Sequence, residues 1–267
     1  MSAAVSSRNP DPATRHFPRF HAPTLRPGQD VIELPEAEAR HALRVLRLSP
    51  GAELELFNGA GGSAHGRLRA SPGRGCAVEI SDYRESPRPD GVRLRLALPR
   101  GARQDWVIEK SVELGAFELI WFESEHSVAR LREGRDAQRR LERWRDQVIA
   151  AAKQCGADWL PDVRVAGGLT DALDGDADGP VRVADWQPDA RPVWEEFRAP
   201  DCRRPAVYVG PEGGWSDAER RAFQSAGARP VHLGPHVLRA ETAAEFILAA
   251  WLCARGTMDL SNSVFQE

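Results

Sequence analysis

The sequence predicts an α/β protein with a small β-rich N-terminal module followed by a larger domain built on a parallel sheet. Two observations carry this. From Val92 onward, short apolar segments alternate with segments of helical period, the order that parallel sheets require. Before that point, alternating polar and apolar runs are broken by Asn-Gly and Gly-Gly turns, as in antiparallel hairpins. A chain of 267 residues with 42% hydrophobic and 28% charged residues has room for both units and a real core.

Residues 1–16 are rich in Ser, Ala, Pro and Arg and lack the apolar run of a secretory signal, so a disordered tail is expected there. The β-rich module is expected over 17–88. Val31-Ile32-Glu33-Leu34 reads as a strand, and Pro35 opens a helix with Ala39, Leu43 and Leu46 at helical spacing. Glu53 to Phe57 alternates as a half-buried strand should, and Asn58-Gly59 supplies its turn. Gly66 to Ala70 and Cys76 to Ile80 add two further strands. The prolines and charges between Glu85 and Gly91 mark the boundary.

The second domain is expected over 89–257, with 258–267 as a tail. Val92 to Leu98 and Phe117 to Phe122 are strands, the first with arginines on alternate positions. Gln104 to Leu114 is a helix closed by Gly115. Ala137 to Cys155 is a long helix with Leu141, Trp144, Val148, Ala151 and Cys155 along one face. Val181 to Ala184, Ala206 to Val209 and Val231 to Leu233 are short buried strands. Ser216 caps a helix with Glu219 in the capping-box position, and Thr242 to Ala254 is the last helix, facing the core with Ala243, Phe246, Ala250 and Cys253.

Composition excludes some classes. No apolar run is long enough for a transmembrane helix. Cys76, Cys155, Cys202 and Cys253 are widely spaced, which argues for free thiols in a reducing cytosol rather than a zinc site or disulfide framework. The net charge of −3 does not announce a nucleic-acid binder. Every Lys or Arg except Lys110 and Lys153 is arginine; such forks suit phosphate, but a GC-rich genome is the main explanation of the bias.

The chemistry concentrates late in the chain. Val209-Gly210-Pro211-Glu212-Gly213-Gly214 and Leu233-Gly234-Pro235-His236-Val237-Leu238 each carry a strand into a Gly-Pro loop, and one helix separates them. Glycines there let backbone groups approach a ligand closely. Neither loop is a dinucleotide fingerprint or a P-loop. Arg239 and Glu241 follow the second loop. An ordinary surface ion pair is the usual fate of such charges, but both fall at the rim of the site that the two loops would form.

These loops, with several other blocks, resemble the ribosomal RNA small subunit methyltransferase E family of bacteria. The blocks are Arg19-Phe20, His41-Ala42-Leu43-Arg44-Val45-Leu46-Arg47, Leu56-Phe57-Asn58-Gly59, Asp105 to Gly115, Ser124-Glu125-His126-Ser127-Val128, Arg143-Trp144, Gln154, Gly210 to Gly214 and Leu238 to Ala243. They run in order across most of the chain. The resemblance implies a small PUA-like β-barrel that binds RNA, then a SPOUT domain whose chain forms a deep trefoil knot, a cytoplasmic homodimer, S-adenosylmethionine as donor and no metal. The implied reaction is N3-methylation of one uridine near the decoding centre of 16S ribosomal RNA in the small subunit. It implies cofactor contacts from Val209, Gly210, Pro211, Glu212, Gly213, Gly214, Leu233, Gly234, Val237, Leu238, Ala240, Thr242 and Ala243.

Uracil N3–H must lose its proton before it can attack, and charge then spreads over the ring oxygens. Arg239 is the candidate to stabilise that charge and Glu241 to accept the proton or orient its partner. Arg19, Arg44, Arg47, Arg103, Lys110, Arg130 and Gln154 are the candidates for RNA contact. The sequence departs from the family pattern at His236 and Ala240, where Arg and Thr are usual, at His126, and at Gly156-Ala157-Asp158. Those departures keep two alternatives open: a SPOUT-fold RNA-binding protein without the reaction, or a SPOUT methyltransferase acting on another RNA.

Overall fold

The computed structural model describes residues 17–70, 75–98, 103–127, 135–176 and 179–256. The first sheet has five strands: β1 Arg19–His21, β2 Val31–Glu33, β3 Glu53–Phe57, β4 Gly62–Ala70 and β5 Cys76–Glu85, in the order β1-β3-β4-β5-β2. All its pairings are antiparallel except β1 with β3. Alternate residues point inward, so Phe20, Ile32, Leu54, Leu56, Leu68 and Val78 form one core.

The helix after Pro35 departs from expectation. α1, Glu36–Arg40, passes into a π-helical turn over His41–Val45, where the Leu46 amide donates to the His41 carbonyl five residues back, at 3.0 Å. The wider turn changes the phase of the side chains. Ala39 and Ala42 are buried, while Leu43 and Leu46, expected inside, are exposed together with Val45.

The second sheet has seven strands, all parallel: β6 Arg93–Ala97, β7 Glu118–Phe122, β8 Asp162–Val165, β9 Val181–Ala184, β10 Arg191–Pro192, β11 Ala206–Val209 and β12 Arg229–His232, in the order β10-β12-β9-β11-β6-β7-β8. α2 Arg103–Glu113, α3 Arg135–Cys155, α5 Val193–Glu196 and α7 Ala240–Arg255 share one core with Leu94, Leu96, Val207 and Val209. α4 Leu169–Asp174 and α6 Asp217–Ser225 pack with Ala97, Phe122 and Tyr208. The helical faces differ in part from the pattern reading. α3 buries Trp144, Val148, Ala151 and Ala152 but exposes Cys155, and α7 buries Ala243, Ala244, Ile247, Leu248 and Trp251 but exposes Cys253. Short β10 and α5 carry too few residues for a period to show.

One of the alternating arginines of β6 is almost wholly buried. Arg95 Nε donates to Asp176 Oδ2 at 2.8 Å and Nη2 donates to Glu118 Oε2 at 2.5 Å. The Tyr208 hydroxyl donates to Asp176 Oδ2 at 2.8 Å. Burial first, and then the Asp176 charge, push the Tyr208 phenol above its ordinary range.

Arg19 was expected on an RNA surface, but it is spent on joining the two units. It is only 9% exposed. Its guanidinium donates to Asp158 Oδ1 at 2.5 Å and to the Ala152 carbonyl at 3.0 Å, and pairs with Glu55 at 3.1 Å. Ser63 Oγ donates to the other Asp158 oxygen, and Lys153 pairs with Glu38 at 2.8 Å. Both acceptors and the Lys lie where α3 ends, so this segment carries the first sheet as a fixed attachment.

His21 sits beside this seam, its ring centroid 5.3 Å from that of Phe57. Burial lowers its pKa below the ordinary 6.5, outweighing the bond to the Asn58 backbone that raises it. The fold therefore favours the neutral ring, and its contribution is present above 6.5 and lost as pH falls through the depressed folded value. The urea midpoint is expected to drop between about pH 7 and about pH 5, and to drop less steeply in His21→Gln. Equal slopes in the two proteins would remove His21 from the acid response.

Candidate functional site

Ligands of parallel sheets bind beyond the carboxyl ends of the strands, where the strand order reverses. Here β6, β7 and β8 step outward in one direction while β11, β9 and β12 lie on the other side of β6. The loops after β9, β11 and β12 meet at that end around a cavity of about 250 Å³.

The first Gly-Pro loop follows β11. Gly214 has φ +70°, a left-handed conformation that favours glycine, and a Cβ on Gly210 would lie 3.0 Å from the Trp215 ring. Trp215 is buried below the loop; its Nε1 donates to the Ala184 carbonyl at 3.1 Å, and its ring stacks parallel to Phe122. The expected capping box at α6 is present, with Ser216 Oγ accepting from the Glu219 amide and Glu219 accepting from the Ser216 amide. Glu219 also reaches across. Its Oε1 accepts from Ser124 Oγ at 2.7 Å and from the Glu125 amide at 3.0 Å. His126 Nδ1 lies 3.0 Å from the Gly214 carbonyl, which fixes that nitrogen as the donor. The loop after β7 thus braces the first Gly-Pro loop.

The second loop follows β12 and delivers Arg239 to the N-cap position of α7. Of the thirteen expected cofactor residues, Val209, Gly210, Pro211, Glu212, Gly214, Leu233, Val237, Leu238, Ala240 and Ala243 line the cavity. Gly213, Gly234 and Thr242 do not. Gly213 packs on His126, where a Cβ would come within 3.0 Å; the Gly234 carbonyl accepts from Trp186; Thr242 is exposed. Ala184, Asp185, Trp186, Trp215, Val231, His232 and His236 also line it and were not anticipated. The signal available for the first three was their place at the carboxyl end of a buried parallel strand.

Arg239 lines the cavity and is exposed, and its side chain has no hydrogen-bond or ion-pair partner among the described residues. A cation at a helix N-terminus opposes the helix dipole, and this N-cap makes no side-chain bond to the helix. Local stability therefore does not explain it. Glu241 does not line the cavity. Its side chain is 16% exposed and pairs with Arg103 Nε at 3.4 Å, while its Oε2 is buried without a hydrogen-bond partner. Arg103 also pairs with Glu212, at 3.4 Å. An arginine expected to track RNA thus bridges the first Gly-Pro loop and the first turn of α7 from the start of α2.

The other RNA candidates scatter. Arg44 and Arg47 are exposed on the π-helical turn and its exit, and Arg47 has φ +53°. Lys110 is held by Glu109 at 2.9 Å and Glu113 at 2.8 Å, bonds that raise its pKa. Gln154 is exposed at the end of α3, and Arg130 lies outside the described residues. Among the described residues, no group of three or more His, Cys, Asp or Glu could hold a metal ion, and no helix is long and apolar enough to cross a membrane.

Comparison with known proteins agrees with this arrangement. The family model described as an RNA methyltransferase domain matches residues 86–252, and one described as an RNA methyltransferase PUA domain matches residues 34–81. The ribosomal RNA small subunit methyltransferase E of Synechocystis sp. is 31% identical, over 82% of this chain and 72% of its own length. The protein of that name from Mycobacterium tuberculosis is also 31% identical, over 86% of this chain and 89% of its own. The crystal structure of ribosomal RNA small subunit methyltransferase E from Neisseria gonorrhoeae bound to S-adenosyl methionine superposes with a TM-score of 0.78 at 31% identity, covering 89% of this chain and 97% of that one. With both domains matched in order, and with the paired Gly-Pro loops on the strand ends of its parallel sheet, the chain belongs to the ribosomal RNA small subunit methyltransferase E family.

Proposed function

We propose that the protein transfers a methyl group from S-adenosylmethionine to N3 of one uridine near the decoding centre of 16S ribosomal RNA, acting on the small subunit as a cytoplasmic homodimer. On this reading the catalytic domain carries the family's trefoil knot around the cavity. The single observation that carries the chemistry is Arg239, an unpaired cation placed on the wall of a cavity built from two Gly-Pro loops.

The residues present fit the donor. Val209, Leu233 and Leu238 give an apolar slot for a purine, and Gly210 and Gly214 let main-chain groups approach it. Glu212 lines the same cavity and offers a carboxylate to ribose hydroxyls or an amino group. When bound, the donor's sulfonium supplies an electrophilic methyl group.

The rest falls to the protein. Arg239 faces the charge that develops on the uracil oxygens as N3 loses its proton. Glu241 stands outside the cavity with Oε2 buried, so its part is to orient Arg103, which it pairs with through Oε1, rather than to take that proton directly. Arg44 and Arg47, free of ion-pair partners among the described residues, are placed to meet phosphates on the first domain.

The test uses small ribosomal subunits from cells lacking this activity, incubated with the protein and S-adenosylmethionine, then digested and read by mass spectrometry. N3-methyluridine at a single site is the expected product. A methyl group elsewhere would replace the uridine assignment, and donor binding without any methylated product would leave an RNA-binding protein of this fold.

A further inference from the structure

Trp186 is 72% exposed although it lines the cavity. A tryptophan left in water is an unused apolar surface, yet this one is held in place. Its Nε1 donates to the Gly234 carbonyl at 3.2 Å. The preceding residue, Asp185, accepts from Arg220 Nε at 2.8 Å and from Gln187 Nε2 at 2.7 Å. The short loop after β9 is therefore pinned on both sides of the indole, and the ring edge is tied to the start of the second Gly-Pro loop. His236 and Val237, both exposed, complete the mouth of the cavity beside it.

We propose that Trp186 is the aromatic wall on which the donor's adenine stacks, a role that rests on the donor assignment made above. A fixed, solvent-facing indole offers a purine a flat π surface at little cost in ordering. The direction follows from the loop itself. Trp186 is bonded to Gly234 where the second loop begins, whereas Arg239 and Glu241 stand where it ends and where Arg103 approaches from α2. The adenine is one end of the donor, and the sulfonium lies inward of it, beyond the ribose. The methyl group that must meet the RNA therefore belongs on the Arg239 side of the cavity, and the base belongs with Trp186.

Full-length wild-type protein, Trp186→Ala and Trp186→Phe would be titrated with S-adenosylhomocysteine and with adenosine, by calorimetry and by tryptophan fluorescence. Trp186→Ala is expected to weaken both ligands about tenfold, and Trp186→Phe to stay within about twofold, because stacking needs a ring rather than an indole. The fluorescence change on binding should shrink in both variants, the remainder coming from Trp215 on the same cavity. Unchanged affinity in Trp186→Ala, or a full fluorescence change in Trp186→Phe, overturns the proposal. Loss of RNA binding alone, with S-adenosylhomocysteine affinity intact, overturns it in favour of a contact to the target base. Failure of the wild-type protein to bind S-adenosylhomocysteine overturns the donor assignment itself, and the stacking role with it.

Discussion

Replacing Arg239 with alanine is expected to lower the single-turnover rate of methyl transfer by about 10²- to 10³-fold, the usual cost of removing one group that faces developing charge. Donor affinity should change by no more than about threefold, because contacts made only in the transition state do not tighten the ground state. Arg239 caps no helix through its side chain, and it makes no ion pair among the described residues. A residue with no structural task can be removed at little cost to the fold, so its loss should appear in the rate. Rapid-quench assays with labelled donor, beside calorimetric titration of S-adenosylhomocysteine, separate the two quantities. A rate within a few-fold of wild type would take Arg239 out of the mechanism.

The second large effect is on stability. Asp176→Ala is expected to destabilise the parallel-sheet domain by about 3–5 kcal/mol, because it strips the partner from a buried cation. Asp176 has no exposure. It accepts from Arg95 Nε at 2.8 Å, from Arg95 Nη2 at 2.5 Å and from the Tyr208 hydroxyl at 2.8 Å, and it pairs with Arg93 at 3.0 Å. Glu118 remains to Arg95 in the variant, but the guanidinium would keep buried N–H groups with no acceptor and Tyr208 would lose its own. Urea denaturation followed by fluorescence measures the loss as a fall in midpoint. A midpoint equal to wild type would mean that water or Glu118 replaces Asp176 without cost.

Much of the fold was legible where its cause is local. The Ser216–Glu219 capping box lies within four residues, and the bounds of β9 and β11 follow from short β-branched runs closed by turns. The two Gly-Pro loops announced themselves by residue type. Pattern reading failed where geometry changed its own period. The π-helical turn at His41–Val45 carried Leu43 and Leu46 out of the stripe that an α-helix would have buried. It also failed for elements as short as β10 and α5, which consist of two and four residues.

The sequence by itself determined the fold class, the family and the two loops that frame the cavity, because turn chemistry, capping and hydrophobic period act between near neighbours. Only the tertiary structure decided what the charged and aromatic side chains do. Arg19 became a joint to Asp158, Arg103 a bridge between Glu212 and Glu241, Arg95 the centre of a buried cluster with Asp176, and Trp186 a wall of the cavity. Arg19 and Asp158 are 139 residues apart and Arg95 and Asp176 are 81 apart. A long polar side chain is satisfied by whichever partner the packed fold brings within about 3 Å, and no local pattern encodes that meeting.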